Sequence, residues 1–228
     1  MSSTLSENFT RYDQKLEFIL RTAARIFAGK GYHSTTMRDI SRETEVSLAG
    51  LYHYCRSKEE LLFLIQDNCF GRVHERLQER LQETSEPLGK LRLVIENHLS
   101  FFAANMSEMK VLSHEADSLA GEMRAHVSGK KQQYTQLVRQ ILSEAQQAQG
   151  DDGQKIDLTV ATYALFGMMN WIYNWYDPRG LLSVSELVEN LTRLFLSGFL
   201  AGRFGDELQF SPSTTKTERL SVWRAPQT

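Results

Sequence analysis

"TTMRDISRETEVSLAGLYHYCRSKEELL", residues 35–62, sets three helix-start signals close together. Thr36 stands three residues before Asp39, and Ser57 stands three before Glu60. At that spacing a hydroxyl oxygen accepts from a backbone N–H at the opening of a helix. Between them Ser47 can cap a second short helix that ends near Tyr54. The helix after Thr36 has Ile40 as its one strongly apolar anchor. Two such short helices with a tight turn between them, packed on a longer one, make a helix-turn-helix unit.

Working outward, the longer helix lies upstream. Leu16, Ile19, Leu20, Ala23, Ile26 and Phe27 repeat at intervals of three and four, and "GKG" (29–31) stops them. Downstream of Ser57, the residues Leu61, Ile65, Cys69, Val73, Leu77 and Leu81 step by four along one long connecting helix. "SEPLG" (85–89) breaks it, and Pro87 suits the first turn of the next helix. Leu88, Leu91, Ile95, His98, Leu99, Phe102 and Met106 make another apolar face. A shorter helix carries Met109, Leu112, Ala116 and Leu119, and a long one runs over roughly 122–148. After the loop "QGDDG" (149–153), residues 156–176 are apolar nearly all round, as in a helix covered on several sides. "DPRG" (177–180) is a turn, and Ser183 with Glu186 caps a last helix. The expectation is an all-α protein. Residues 11–56 form a three-helix helix-turn-helix domain, and 57–204 a helical ligand-binding and dimerisation domain entered through a connecting helix over 57–83. Residues 205–228 read as a polar tail with Trp223 as an anchor.

Composition excludes several classes. With 4 Pro and 14 Gly in 228 residues, an all-β chain with many tight turns is disfavoured. Cys55 and Cys69 are the only thiols, too few for a disulfide framework, so a reducing, cytoplasmic location is expected. No signal peptide and no uncharged apolar stretch of ~18 residues is present, so no membrane partner is implied. Net charge is −2, and the first sixty residues are nearly balanced. Any grip on nucleic acid must come from local placement of charge.

In a helix-turn-helix the second helix lies in the major groove while neighbouring groups hold phosphates. Ser47, Leu48, Ala49 and Gly50 are slim at the end that would meet bases, and Tyr52, His53 and Tyr54 present polar groups further on. Thr35, Thr36 and Arg38 cluster at the start of the first short helix, a natural phosphate contact. Lys58 sits in the first turn of the connecting helix, where the helix dipole disfavours a cation and a docked phosphate would reverse the balance.

With those residues in view, "ILRTAARIFAGKGYHSTTMRDISRETEVSLAGLYHYCRSKEELL" (19–62) resembles the DNA-binding domain of the TetR/AcrR family of bacterial repressors. The resemblance implies that Thr36 contacts phosphate, that Ser47 to Gly50 face bases, that Tyr52 lies at the DNA surface and Tyr54 packs or touches backbone, and that Lys58 opens the fourth helix. Two positions depart from the family pattern. Thr44 and Glu45 stand where alanine and glycine are usual in the interhelical turn; a non-glycine residue at positive φ costs on the order of 1 kcal/mol, so a reshaped turn is expected. Cys55 stands where phenylalanine is common.

The resemblance also implies a small-molecule effector held by the central helices and a homodimer built from the last two. The final helix offers Leu194, Phe195 and Phe199 as apolar area and Gly198, Ala201 and Gly202 as small residues for close approach. Candidates for the effector site are His98, Phe102, Asn105, Met106, Met109, Met123, Tyr134, Phe166, Met169, Asn170, Trp171 and Tyr173, a set of adaptable apolar groups with a few polar ones. Ordinary core packing is the competing explanation for each. "LFGMMNWIYNWYDPRGLLSVSELVENLTRLFLSGF" (165–199) further resembles the branch of that family that senses acyl-CoA or related thioesters. Arg124, His126, Lys130, Lys131 and Arg179 would then lie near the CoA phosphates. The alternatives are a repressor of efflux genes that senses apolar drugs and a thiol enzyme using Cys55. For the latter, no cationic pocket is evident beyond His53 and Arg56. His114 and Glu115 lack the second histidine of a zinc motif, and no metal or cofactor is expected.

Overall fold

The computed structural model describes residues 11–148 and 156–199. Among them are nine α-helices: α1 (Arg11–Lys30), α2 (Met37–Thr44), α3 (Leu48–Tyr54), α4 (Lys58–Arg80), α5 (Pro87–Ala103), α6 (Met106–His114), α7 (Gly121–Gln147), α8 (Leu158–Asn170) and α9 (Val184–Phe199). No helix of the described residues is long and apolar enough to cross a membrane.

The caps explain most boundaries. Thr36 and Asp39 form a complete capping box at α2, with Asp39 N donating to Thr36 Oγ1 and Thr36 N to Asp39 Oδ2. Ser47 Oγ accepts from Gly50 N at 3.1 Å and opens α3. At α4 only half of the expected box forms. Ser57 Oγ accepts from Glu60 N, but the Glu60 carboxylate takes the N–H of Arg56 instead of that of Ser57. Asp157 caps α8 through the N–H groups of Thr159 and Val160, and Ser183 with Glu186 closes a full box at α9. The apolar run over 156–176 is not one helix: α8 stops at Asn170, and Trp171–Asn174 continue as a 3-10 turn.

Two apolar cores form, and α6 belongs to both. The first joins Ile19, Ala23, Phe27, Ile40, Leu51 and Leu61 of the N-terminal helices to Val111 of α6, Leu119, and Val127 of α7. The second joins α4, α5, α7, α8 and α9 through residues such as Leu77, Ile95, Leu99, Leu142, Leu165 and Leu187, and it takes Met109 from α6. Leu112 packs against both. Polar ties reinforce the joint: Gln66 donates to the Glu115 carbonyl at 2.9 Å, and Ala120 N donates to Glu59.

Candidate DNA-binding surface and effector chamber

The helix-turn-helix is held in place from three sides. Glu45 ends α2 at φ 55° and is the one non-glycine residue at positive φ among those described, so the turn keeps its left-handed residue instead of being reshaped. Gly50 is required by packing inside the unit. A Cβ there would lie 2.9 Å from Val46 Cγ1 and 3.2 Å from Ser47 Oγ, so a side chain would crowd the turn against α3. Behind α3, Leu51 and Cys55 are buried, and the Cys55 thiol donates weakly to the Leu51 carbonyl.

The residues facing outward are Thr36, Arg38, Ser47, Ala49, Tyr52 and His53, with Leu48, Gly50 and Tyr54 half-buried. Tyr52 is 52% exposed. Tyr54 stacks on Tyr12 of α1 at 4.7 Å between ring centres, and His53 meets the edge of both rings. Tyr12 was missed from the sequence, because its partner is forty-two positions away and no local pattern links them. Asp39 balances the cations here: the Lys30 ammonium and the Thr36 backbone and hydroxyl hold its carboxyl well below the usual range, and Arg42 pairs with its second oxygen.

Two expected contacts are used elsewhere. Thr35 is 1% exposed and its hydroxyl donates to the Gly31 carbonyl at 2.7 Å, so it belongs to the α1–α2 loop rather than to the outer surface. Lys58 Nζ donates to the carbonyls of Tyr32 (2.8 Å) and Thr35 (2.9 Å) and lies 4.4 Å from the centre of the Tyr32 ring. Backbone carbonyl oxygens therefore accept from the ammonium for which a phosphate was expected.

In the C-terminal bundle, His98, Phe102, Met109, Tyr134 and Met169 are all buried and, with the half-buried Phe166, share one core. His98 organises its polar part. Asn170 Oδ1 lies 3.0 Å from Nε2 and can only accept, so Nε2 carries the proton and Nδ1 accepts from the Tyr134 hydroxyl at 3.2 Å. Burial pushes His98 down to about 4, so the ring is neutral at pH 7. Burial likewise raises the Tyr134 phenol well above its ordinary value, with the Asn97 amide partly offsetting it. Met106 and Tyr173 pack at the margin of the core. Asn105 opens α6 and donates to the Phe101 carbonyl. Met123 is half-buried in the first turn of α7, outside both cores.

Other assignments need correction. Trp171, read as a chamber residue, is 60% exposed: α8 stops at Asn170 and Trp171 opens the 3-10 turn that follows. Phe195, read as interface, is only 7% exposed and packs into the core of its own bundle, whereas Leu194 and Gly198 face outward. The side chain of Phe199, and Ala201, Gly202 and the tail, lie outside the described residues. Of the cations proposed for CoA phosphates, Arg124 pairs with Asp117, His126 and Lys130 with Asp67, and Arg179 with Asp177, while Lys131 is exposed. A cleft of about 640 Å³ between α1, α4 and the α5–α6 junction takes in Asn105 alone of the expected chamber residues. Both thiols are unactivated: burial pushes Cys55 up to about 11 and Cys69 up to about 12.

A capped pair of short helices seated on α1, with one face outward and a separate helical bundle behind, defines a helix-turn-helix DNA-binding regulator. Residues 19–65 match the model of bacterial regulatory proteins of the tetR family, and residues 84–199 match that of the tetracyclin repressor-like C-terminal domain. The chain belongs to the TetR family of transcriptional repressors and is not an enzyme. It is similar to the fatty acid metabolism regulator protein of Bacillus subtilis (strain 168), with 26% identity over 79% of this chain and 93% of that protein. Among solved structures it is similar to AibR in complex with isovaleryl coenzyme A and operator DNA (29% identity, TM-score 0.70, 79% of this chain and 97% of that one). A TetR-family regulator from Bordetella parapertussis 12822 has 30% identity and a TM-score of 0.74 over 82% and 96% of the two chains.

Proposed function

We propose that this protein is a homodimeric cytoplasmic repressor released from a near-palindromic operator by an acyl-CoA or related CoA thioester. The observation that carries the effector assignment is the AibR complex, a structure aligned over 97% of its length that holds both isovaleryl coenzyme A and operator DNA. The interior of this bundle agrees in kind: an apolar core shared by α5, α7 and α8 with a few polar groups for orientation. The CoA phosphates would compete with Asp67 and Asp117 for Lys130, His126 and Arg124, with Lys131 beside them.

The dimer face is the outer side of α8 and α9. Val160, Tyr163, Trp171 and Leu194 are all more than half exposed, a concentration of apolar area typical of a surface that meets a partner. Ser197 and Gly198 beside Leu194 allow close helix approach. Two-fold symmetry then places the α3 helices of the two subunits about 34 Å apart or slightly more, one turn of DNA.

Coupling runs through α6. Met109 sits in the effector core and Val111 in the core beneath α1 and α3, so α6 cannot shift with the one and stay fixed in the other. An effector that separates α5 from α7 displaces Met109, moves α6 against α1, and changes the spacing of the two α3 helices. Thermal unfolding tests the effector. An acyl-CoA at about one hundred times its dissociation constant should add about 2.7 kcal/mol, or roughly 5–10 °C. Free fatty acid and CoA alone should leave the midpoint in place. A midpoint moved equally by the free acid would reject a thioester effector.

A further inference from the structure

The interior of the C-terminal bundle holds more hydrogen-bonding capacity than its own packing uses. Asn97 of α5 is 0% exposed, next to His98 in sequence, and Val94 one turn before it is equally buried. Its Nδ2 donates to the Val73 carbonyl of α4 at 2.9 Å, while its Oδ1 has no partner. It adjoins the Tyr134 phenol, whose proton is committed to His98 Nδ1, and the His98 proton is committed to Asn170. The donors in this chain are spent, and the free group at its buried end is an acceptor.

A buried amide oxygen without a donor is unfavourable, and an apolar residue of similar size would avoid the cost. Such a group in a core that opens to admit a ligand selects a ligand that supplies the missing proton. We propose that Asn97 Oδ1 accepts a hydrogen bond from a hydroxyl on the effector's acyl group, so that the chamber prefers hydroxylated acyl thioesters to saturated ones. This rests on the CoA-thioester reading above. The hydroxyl must belong to the acyl part, because the charged CoA head cannot be carried to a group that is 0% exposed. A ketone at the same carbon offers no proton and gains nothing from Asn97.

Calorimetric titration of the full-length protein with six-carbon thioesters tests this. The panel is hexanoyl-CoA, its counterparts hydroxylated at C3, C4, C5 or C6, and 3-oxohexanoyl-CoA. At least one hydroxylated thioester should bind about tenfold or more tightly than hexanoyl-CoA, and the 3-oxo thioester should not. Asn97→Leu should abolish that preference and leave hexanoyl-CoA binding as tight or tighter. Equal affinities across the panel in the wild-type protein overturn the proposal and leave the thioester reading standing. A preference that survives in Asn97→Leu overturns the assignment to Asn97. Failure of every thioester to bind overturns both.

Discussion

Replacing Lys58 by methionine separates two roles that local sequence cannot tell apart. Methionine keeps most of the apolar stem and removes the ammonium, which donates to the Tyr32 and Thr35 carbonyls at 2.8 and 2.9 Å. A hydrogen bond to a charged group contributes about 1.5–3 kcal/mol. Tyr32 O also accepts from Thr35 N, so the loss leaves that oxygen partly satisfied. Lys58 is only half-buried, which lowers the figure further. A net loss of about 2–3 kcal/mol follows, which for a chain of this size lowers the unfolding midpoint by roughly 5–10 °C. The assay is thermal unfolding by circular dichroism, run beside operator binding at several salt concentrations. A clamp on the α1–α2 loop leaves the slope of log affinity against log salt unchanged. A phosphate contact makes it shallower by about 0.9. A shallower slope with an unmoved midpoint would refute the clamp.

Three further outcomes are expected. Folded His98 titrates near 4 and the unfolded residue near 6.5, so the unfolded chain binds the extra proton. Stability from the neutral ring is therefore full above about pH 6.5 and lost as pH falls towards 4, on the order of 3 kcal/mol in all; urea unfolding of His98→Gln should show a flatter profile over that window, and parallel profiles would count against it. Tyr12→Ala and Tyr54→Ala should each weaken operator binding, with a coupling of about 0.5–1.5 kcal/mol in the double variant because the rings stack. Leu194→Glu puts a charge into the outer face of α9 and should yield a folded monomer in sedimentation velocity with far weaker operator binding; an intact dimer would move the interface elsewhere.

Local capping chemistry made the helix-turn-helix legible, because Thr36–Asp39 and Ser47 act within three residues of themselves. The positive φ at Glu45 was not: its cost pointed to a reshaped turn, and the structure keeps the left-handed residue. What was not legible depends on distant partners. Thr35 and Lys58 looked like phosphate contacts until the loop over 31–35 provided carbonyls for both. Trp171 and Phe195 were exchanged between chamber and surface because periodicity ranks residues by face without saying which face meets solvent, and because the helix ends at Asn170 instead of running on. The shared position of α6 between two cores has no sequence signature, since Met109 and Val111 are ordinary apolar residues two positions apart.

The central claim is most directly tested by fluorescence anisotropy of duplex DNA from upstream of the protein's own gene, bound by the full-length protein and then titrated with CoA thioesters of several chain lengths and with the matching free acids. Release by thioesters, with free acids and CoA alone inert, is the result expected of a repressor gated by this chamber. A complex that forms and then survives every thioester would contradict it.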